Sequence, residues 1–525
     1  MFEMLQKSYH FFKKQFESFT LTDKIMVALL LALNTLFCVL KSSPITISFY
    51  EMDSYSFLQK LITMYEGIIE FNPVKHFSYG YYNYGYAYFL ELLVLSFPFL
   101  ATKQYAVVVF IGRFISVCAM VGSVILMQRI LHSILKPIIV TLVLATLILN
   151  TLFFMPSILF YPDWIMAFFV ILALYYQLKE AKVNSKLFWI SLASFGLAVG
   201  IKFQALIYAP FLIGLVSWKC WNEATSLKTF LKSLTIVAIK VFFLWSALFI
   251  LINPFVLHPK GLVAFSHRFE ENITRSDKSI YVLLSIVILP IFYYAFYTLK
   301  KQKVSVTKHS MLGLSVLLYC FYQVNHYFVT KYNIVLLFLS ILIIAILLKE
   351  YKVIFQKIIL TVLCLFTFSL NINYIKESIN QKVFFKNNTK LDQITDITKI
   401  VATDISPSDH ILMTAGTPIN YLELGLPLTH IHFVMGSFLP YHIEEAAFYG
   451  KWKKFDLKNN PNIKPFREKK YIIINKQDQI FTNKDNSSYK KTTETLTQLR
   501  QSKWNYGTIY ETSEIIIFKN KGPLK

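Results

Sequence analysis

The sequence predicts a mainly α, polytopic helical membrane protein with a C-terminal α/β domain outside the membrane. Three observations lead there. Of 525 residues, 55% are hydrophobic and only 16% are charged, too little polar surface for a soluble chain of that length. Apolar runs of about 16 to 22 residues recur from Ile25 to Leu370, the length at which a helix crosses the hydrocarbon core. From residue 375 onward no long apolar run is left, and short β-rich runs alternate with helical patterns. Two domains follow, residues 1–374 in the membrane and 375–525 outside it.

Residues 1–24 are basic and aromatic, as in a segment lying on the inner membrane face. The first apolar run, 25–43, follows Lys13, Lys14 and Lys24 and has no small-residue cleavage site, so it reads as a retained helix. Residues 44–80 form an outer loop with an expected helix at 54–70. The tyrosine-packed stretch 80–86 suits a membrane–water interface. The next apolar stretch, 86–100, either spans or lies in the interface. If it lies there, later spans fall at about 105–128, 138–158, 163–178, 187–201, 203–218, 233–252, 279–299, 311–329, 333–348 and 354–373. The lysine-bearing loops 129–136, 179–186, 219–232, 300–308 and 349–357 then all face inward, as the positive-inside rule requires. About eleven spans result, with the N-terminus cytoplasmic and the C-terminal domain extracytoplasmic. A bacterial inner membrane is the expected home. In the outer part, strands are expected at 410–415, 429–435, 470–475 and 514–518, and helices at 390–404, 441–453 and 488–501.

The net charge of +23 does not point to nucleic acid, since no nucleic-acid motif accompanies it; the lysines sit in short loops and the tail, where they set topology and meet anionic lipid. The cysteines, Cys38, Cys118, Cys220, Cys320 and Cys364, all lie in or beside apolar runs. They read as small packed residues rather than disulfides.

The inward topology collects polar groups from distant stretches on the outer face. Glu51 and Asp53 stand two residues apart where the chain leaves its first span, and in an extended loop both would face one ligand. Carboxylates there can take a proton from a hydroxyl or hold a divalent cation; the plain alternative is a polar loop. Asp163 follows Pro162 at the outer end of a span, where an Asp also serves as a helix N-cap. Arg113 lies inside an apolar run, where a charge is paired, functional or snorkelling. Lys202 stands between two short apolar halves, marking a turn or offering a cation to a phosphate. His258 and Lys331 sit at the same expected face, where such residues also simply snorkel.

In order, these pieces resemble the GT-C class of integral-membrane glycosyltransferases, and within it the bacterial relatives of the protein O-mannosyltransferases and of the lipid A aminoarabinose transferase (family 39-like). The carriers are Glu51-Met52-Asp53; the aromatic run Gly85-Tyr86-Ala87-Tyr88-Phe89-Leu90; Gly112-Arg113-Phe114-Ile115-Ser116, opening a span that closes with Gln128-Arg129; Pro162-Asp163; the segment from Gly196 to Gly200 with Lys202; Lys331-Tyr332; and Gly416-Thr417-Pro418-Ile419-Asn420-Tyr421 in the tail. The aromatic run lacks the paired prolines common in the family, the late motif more often has Arg in place of Lys331, and the lysine usually lies further along than Lys202.

The resemblance implies transfer of a sugar from a polyprenyl-phosphate donor to a glycan, lipid or protein acceptor on the outer side, with inversion. Asp53 would be the general base, with Glu51 and Asp163 completing the site or ligating a divalent cation. Lys202, Arg113, Lys331 and His258 would neutralise the donor phosphate. An apolar groove between helices would hold the isoprenoid, and the outer domain would cover the site and select the acceptor. Carboxylates with few histidines nearby suit magnesium or manganese better than zinc, if a metal is used. Two other classes compete: a lipid or glycan transporter or flippase, which would carry internal repeats that are not seen here, and a non-catalytic partner in envelope glycan assembly, which would tolerate loss of Asp53.

Overall fold

The computed structural model describes residues 20–42, 52–77, 85–150, 160–179, 182–259, 261–262, 287–295, 297, 306–324, 334–382, 388–414, 417, 419, 424, 426, 430–434, 469–476, 489–501 and 505–522. The chain is mostly helical with one small sheet, and it forms two compact units. The first comprises Met1–Cys38, Tyr82–Leu90 and Gly112–Ser378; the second comprises Val39–Tyr81, Glu91–Ile111 and Ile379–Lys525.

The helices in order are α1 (Leu21–Lys41), α2 (Met52–Ile69), α3 (Pro73–Phe77), α4 (Tyr86–Ala101), α5 (Tyr105–His132), α6 (Pro137–Ile148), α7 (Asp163–Lys179) and α8 (Lys186–Ile201). After a 3₁₀ turn at Phe203–Tyr208 come α9 (Ala209–Glu223), α10 (Leu227–Ile252), a second 3₁₀ turn at Pro254–Leu257, α11 (Val306–Val324), α12 (Ile334–Leu348) and α13 (Val353–Lys382). Local chemistry sets several starts. Ser185 caps α8 by accepting from Phe188 N–H. Ser226 and Thr229 form a reciprocal capping box that begins α10, satisfying backbone donors that a helix start leaves open. Pro137 opens α6, where its missing N–H costs nothing.

Among the described residues, five helical stretches are long and apolar enough to cross a membrane: Leu21–Leu40, Tyr105–His132, Phe203–Glu223, Leu227–Ile252 and Val353–Ile372. Shorter apolar helices include α4, α6, α8 and α12. The 16 residues of α4 rise about 24 Å, short of the roughly 20 residues a perpendicular crossing needs. In the first unit α12 is sheathed on nearly every side, whereas α10 turns Ile239, Phe242, Phe243 and Leu251 outward, as a helix facing lipid would. Of the cysteines, Cys38 and Cys220 are buried, but Cys118 is exposed and Cys320 and Cys364 are half-buried; all are free thiols.

The second unit contains helices α14 (Asn388–Ala402) and α15 (Tyr489–Arg500) and strands β1 (Ile411–Thr414), β2 (Ile431–Val434), β3 (Tyr471–Asn475), β4 (Tyr506–Glu511) and β5 (Ile515–Asn520). Sheet order is β2-β1-β3-β5-β4. β1 runs parallel to β2 and β3, while β5 is antiparallel to β3 and β4. β1, β3 and β5 carry runs of buried apolar residues, as strands covered on both faces do. Leu412, Ile472, Ile474, Ile516 and Phe518 meet Leu496 and Leu499 of α15 and the Tyr506 ring in one core. The expected helix at 441–453 lies outside the described residues.

Candidate functional site

Four separate stretches of the first unit converge on one break in the helical scaffold. α8 ends at Ile201, Lys202 adopts an extended conformation (φ −155°, ψ 118°), and the chain resumes as the 3₁₀ turn at Phe203–Tyr208. Gly85 donates its N–H to the Ile201 carbonyl at 2.8 Å. That approach demands glycine: a Cβ on Gly85 would lie 1.8 Å from the Gly200 oxygen. Asn253, fully buried at the end of α10, ties the same point together. Its Oδ1 accepts from Tyr86 N–H at 3.0 Å, and its Nδ2 donates to the carbonyls of Gly200 and Phe249 at 3.3 Å each. The start of α4, the end of α8 and the end of α10 are thus pinned through one side chain, and Lys202 is what that junction presents.

Lys202 Nζ donates to Asp163 Oδ1 at 2.5 Å, with the side chains 2% and 0% exposed. Asp163 stands in the first turn of α7. The segment before it is held by α5: Ser116 Oγ donates to the Tyr161 carbonyl at 2.8 Å, and Gly112 lies so near the Phe160 ring that a Cβ there would come within 2.1 Å of it. Asp163 Oδ2 is buried and has no hydrogen-bond partner among the described residues. Burying two opposite charges side by side is a neutral arrangement, but one whose desolvation is offset only by good geometry. In an apolar helical unit such a pair marks function more often than stability.

Beside this junction is an apolar cavity of about 670 Å³, lined by Val199, Phe203, Leu206, Trp245, Phe249 and Leu257 among others. Val199 and Phe203 bracket the Gly200–Lys202 break in sequence, so the cavity and the ion pair share one stretch of backbone.

The other candidates fall as follows. Arg113 is fully buried in α5 and therefore does not snorkel; it lies one turn from Ser116 on the same face. Asp163 does not cap its helix: it lies inside the first turn and spends Oδ1 on Lys202. Asp53 is not in an extended loop. α2 begins at Met52, which puts Asp53 in the first turn of a helix. Asp53 belongs to the second unit. His258 is exposed after the second 3₁₀ turn, its ring stacked on Phe255 at 5.4 Å and 9°. Glu51 and Lys331 lie outside the described residues. A magnesium or manganese ion wants about six oxygens. Among the described residues no cluster of three acidic, His or Cys groups exists; at this junction Asp163 Oδ2 and, in the 3₁₀ turn after Lys202, Gln204 Oε1 are buried without a hydrogen-bond partner among the described residues. Asn253 is the part of the site missed from sequence, and an Asn just before Pro254 is the signal that marks it; Gly85 opens the aromatic run, but its close approach to Gly200 was not foreseen.

No protein-family model matches the chain, and no curated protein matches it. Among solved structures, it is similar to the archaeal oligosaccharyltransferase AglB from Archaeoglobus fulgidus, in complex with an inhibitory peptide and a dolichol-phosphate. The TM-score is 0.44 and the identity 12%, over 96% of this chain and 76% of that one. At that score the likeness assigns neither fold nor activity.

Proposed function

We propose that this chain is a membrane glycosyltransferase that moves a sugar from a polyprenyl-phosphate donor to an acceptor on the outer membrane face. The observation that carries the reading is the buried Asp163–Lys202 pair at a helix break edged by an apolar cavity. A polyprenyl-phosphate sugar needs a dry apolar channel for its tail and fixed cationic or polar groups where the tail ends. The ordered motifs of the sequence support the same class.

In this reading the isoprenoid occupies the cavity bounded by Phe203, Trp245 and Phe249. The phosphate meets the Lys202 junction, with Arg113, Lys331 and His258 as further cationic candidates. Asp163 fixes the ammonium in place; its own charge offsets that of Lys202, so the phosphate needs cationic help beyond this lysine. Asp53 takes the proton from the acceptor hydroxyl as the acceptor oxygen attacks the anomeric carbon. The bond from that carbon to the phosphate oxygen breaks, the electron pair leaves with the polyprenyl phosphate, and the anomeric configuration inverts. An ordinary aspartate suffices as base when ionised and well placed. Glu51, Asp53 and Asp163 are the candidate ligands should a divalent ion be needed. About eleven spans, a cytoplasmic N-terminus and an outward C-terminal domain belong to the same proposal.

The test is a transfer assay with radiolabelled polyprenyl-phosphate sugars and membrane extract as acceptor source. Asp53→Asn removes transfer while leaving donor binding intact. Normal transfer by Asp53→Asn contradicts the base assignment.

A further inference from the structure

The helix that carries Asp53 is held at two ends by different parts of the second unit. At its C-terminal end, Tyr65 of α2 meets Phe97 of α4 edge-on at 5.2 Å. Gly67 lies against the backbone of His76 in α3, and His76 Nδ1 pairs with the Met64 carbonyl at 2.8 Å. Lys75 pairs with Glu66 and Glu70 at 2.8 and 2.6 Å. Phe57, Leu58, Leu61 and Met64 are all buried along its length. Nearer the N-terminal end the contact is with the sheet: Gln59 Nε2 donates to the carbonyl of Ile431 at 2.7 Å.

Ile431 is the first residue of β2, and among the described strands β2 lies at an edge of the sheet, beside β1. An edge strand presents backbone groups that its own sheet leaves unpaired, and Gln59 meets one of them from 372 residues away in sequence. Gln59 lies six residues after Asp53, about 9 Å along the helix axis.

We propose that Gln59 is a positioning residue, a latch through which the edge strand of the α/β sheet fixes the orientation of the Asp53 helix. The inference rests on the reading of Asp53 as base. It goes further by coupling the domain expected to select the acceptor to the group that deprotonates it. A displacement of β2 on acceptor engagement would then reach the Asp53 helix through the Gln59–Ile431 contact.

The experiment compares Gln59→Glu, which keeps the size but when ionised has no donor, with Gln59→Lys, which keeps a donor. Hydrogen–deuterium exchange is read on the full-length protein in detergent, alongside transfer kinetics. Gln59→Glu is expected to raise exchange at 52–60 and 431–434 together and to lower kcat about tenfold, the worth of one hydrogen bond, with donor KM unchanged. Gln59→Lys is expected to restore both. Exchange that rises with kcat unaffected makes the contact structural only and overturns the positioning role. Exchange unchanged in both segments overturns the latch, whatever the assay shows. If the wild-type protein transfers no sugar while Gln59→Glu loosens both segments together, the transferase reading has failed and the latch stands.

Discussion

Asp163 and Lys202, 39 residues apart in sequence, meet at 2.5 Å with both side chains out of reach of solvent. Read singly, one looks like a helix cap and the other like a turn marker. Together they make a neutral buried pair whose second carboxylate oxygen is unmet among the described residues.

Removing one partner strands the other's charge. Lys202→Met or Asp163→Leu alone is expected to destabilise the protein by about 3–5 kcal/mol, whereas the double replacement recovers most of that loss. Thermal unfolding in detergent measures the stability arm. The double variant should still fail to bind a polyprenyl-phosphate sugar; normal donor binding by it would remove the pair from the site.

Asn253 gives a second prediction. Asn253→Ala leaves the Tyr86 N–H and the Gly200 carbonyl without their partner, at about 1–3 kcal/mol for each unmet group. The expected result is weaker donor binding together with a lowered unfolding temperature, because the loosened junction is the one that presents Lys202. A variant that unfolds earlier yet binds donor normally would confine Asn253 to structure.

Two glycines differ in how they should respond to a methyl group. At Gly112 the clash is with the Phe160 ring, so Gly112→Ala is expected to be rescued by Phe160→Leu. At Gly85 the clash is with the Gly200 backbone oxygen, which no side-chain change relieves. Expression and unfolding temperature of the single and paired variants measure the contrast.

The second unit should lose stability in acid. Hydrogen bonding from Lys519 and Tyr471 holds the Asp404 carboxyl below its ordinary range. Asp409 is also lowered: its burial acts upward, but hydrogen bonds from Ser406 and Lys470 outweigh it. A depressed folded-state pKa means that the stabilisation is full above the unfolded value, near 3.9 for Asp, and is lost as pH falls through the folded value. Exchange protection of β1 and β3 is therefore expected to be flat from pH 7 to about pH 5 and to fall below about pH 4. In Asp404→Asn/Asp409→Asn that fall should be shallower.

Topology is checked by labelling. A cysteine in place of Ser408 should react with an impermeant thiol reagent in intact cells, and one in place of Thr225 should not. The reverse pattern would put the Lys202 junction on the other membrane face.

How much of this was legible beforehand follows from what each signal measures. Apolar run length located α8 closely, the start of α5 and the end of α10, because a helix in an apolar medium is written in every residue of the run; the polar first turns of α10, from Leu227, lie before the expected start at 233. β3 and β5 were legible for the same reason. β4 was missed because only Tyr506 of its six residues is buried, so its pattern shows no clean alternation. The extended reading at Asp53 failed because i, i+2 spacing does not distinguish a loop from the first turn of a helix. The Asp163–Lys202 pair could not be read at all. Nothing local in either stretch encodes that Gly85, Asn253 and Ser116 bring them together.

The central claim is that this protein binds a sugar carried on a polyprenyl phosphate. Native mass spectrometry of the wild-type protein, released from gentle detergent with polyprenyl-phosphate sugars added, tests it most directly. A bound lipid-linked hexose or pentose that unlabelled polyprenyl phosphate competes away is the predicted result. Folded protein that binds none of these lipids would contradict the account.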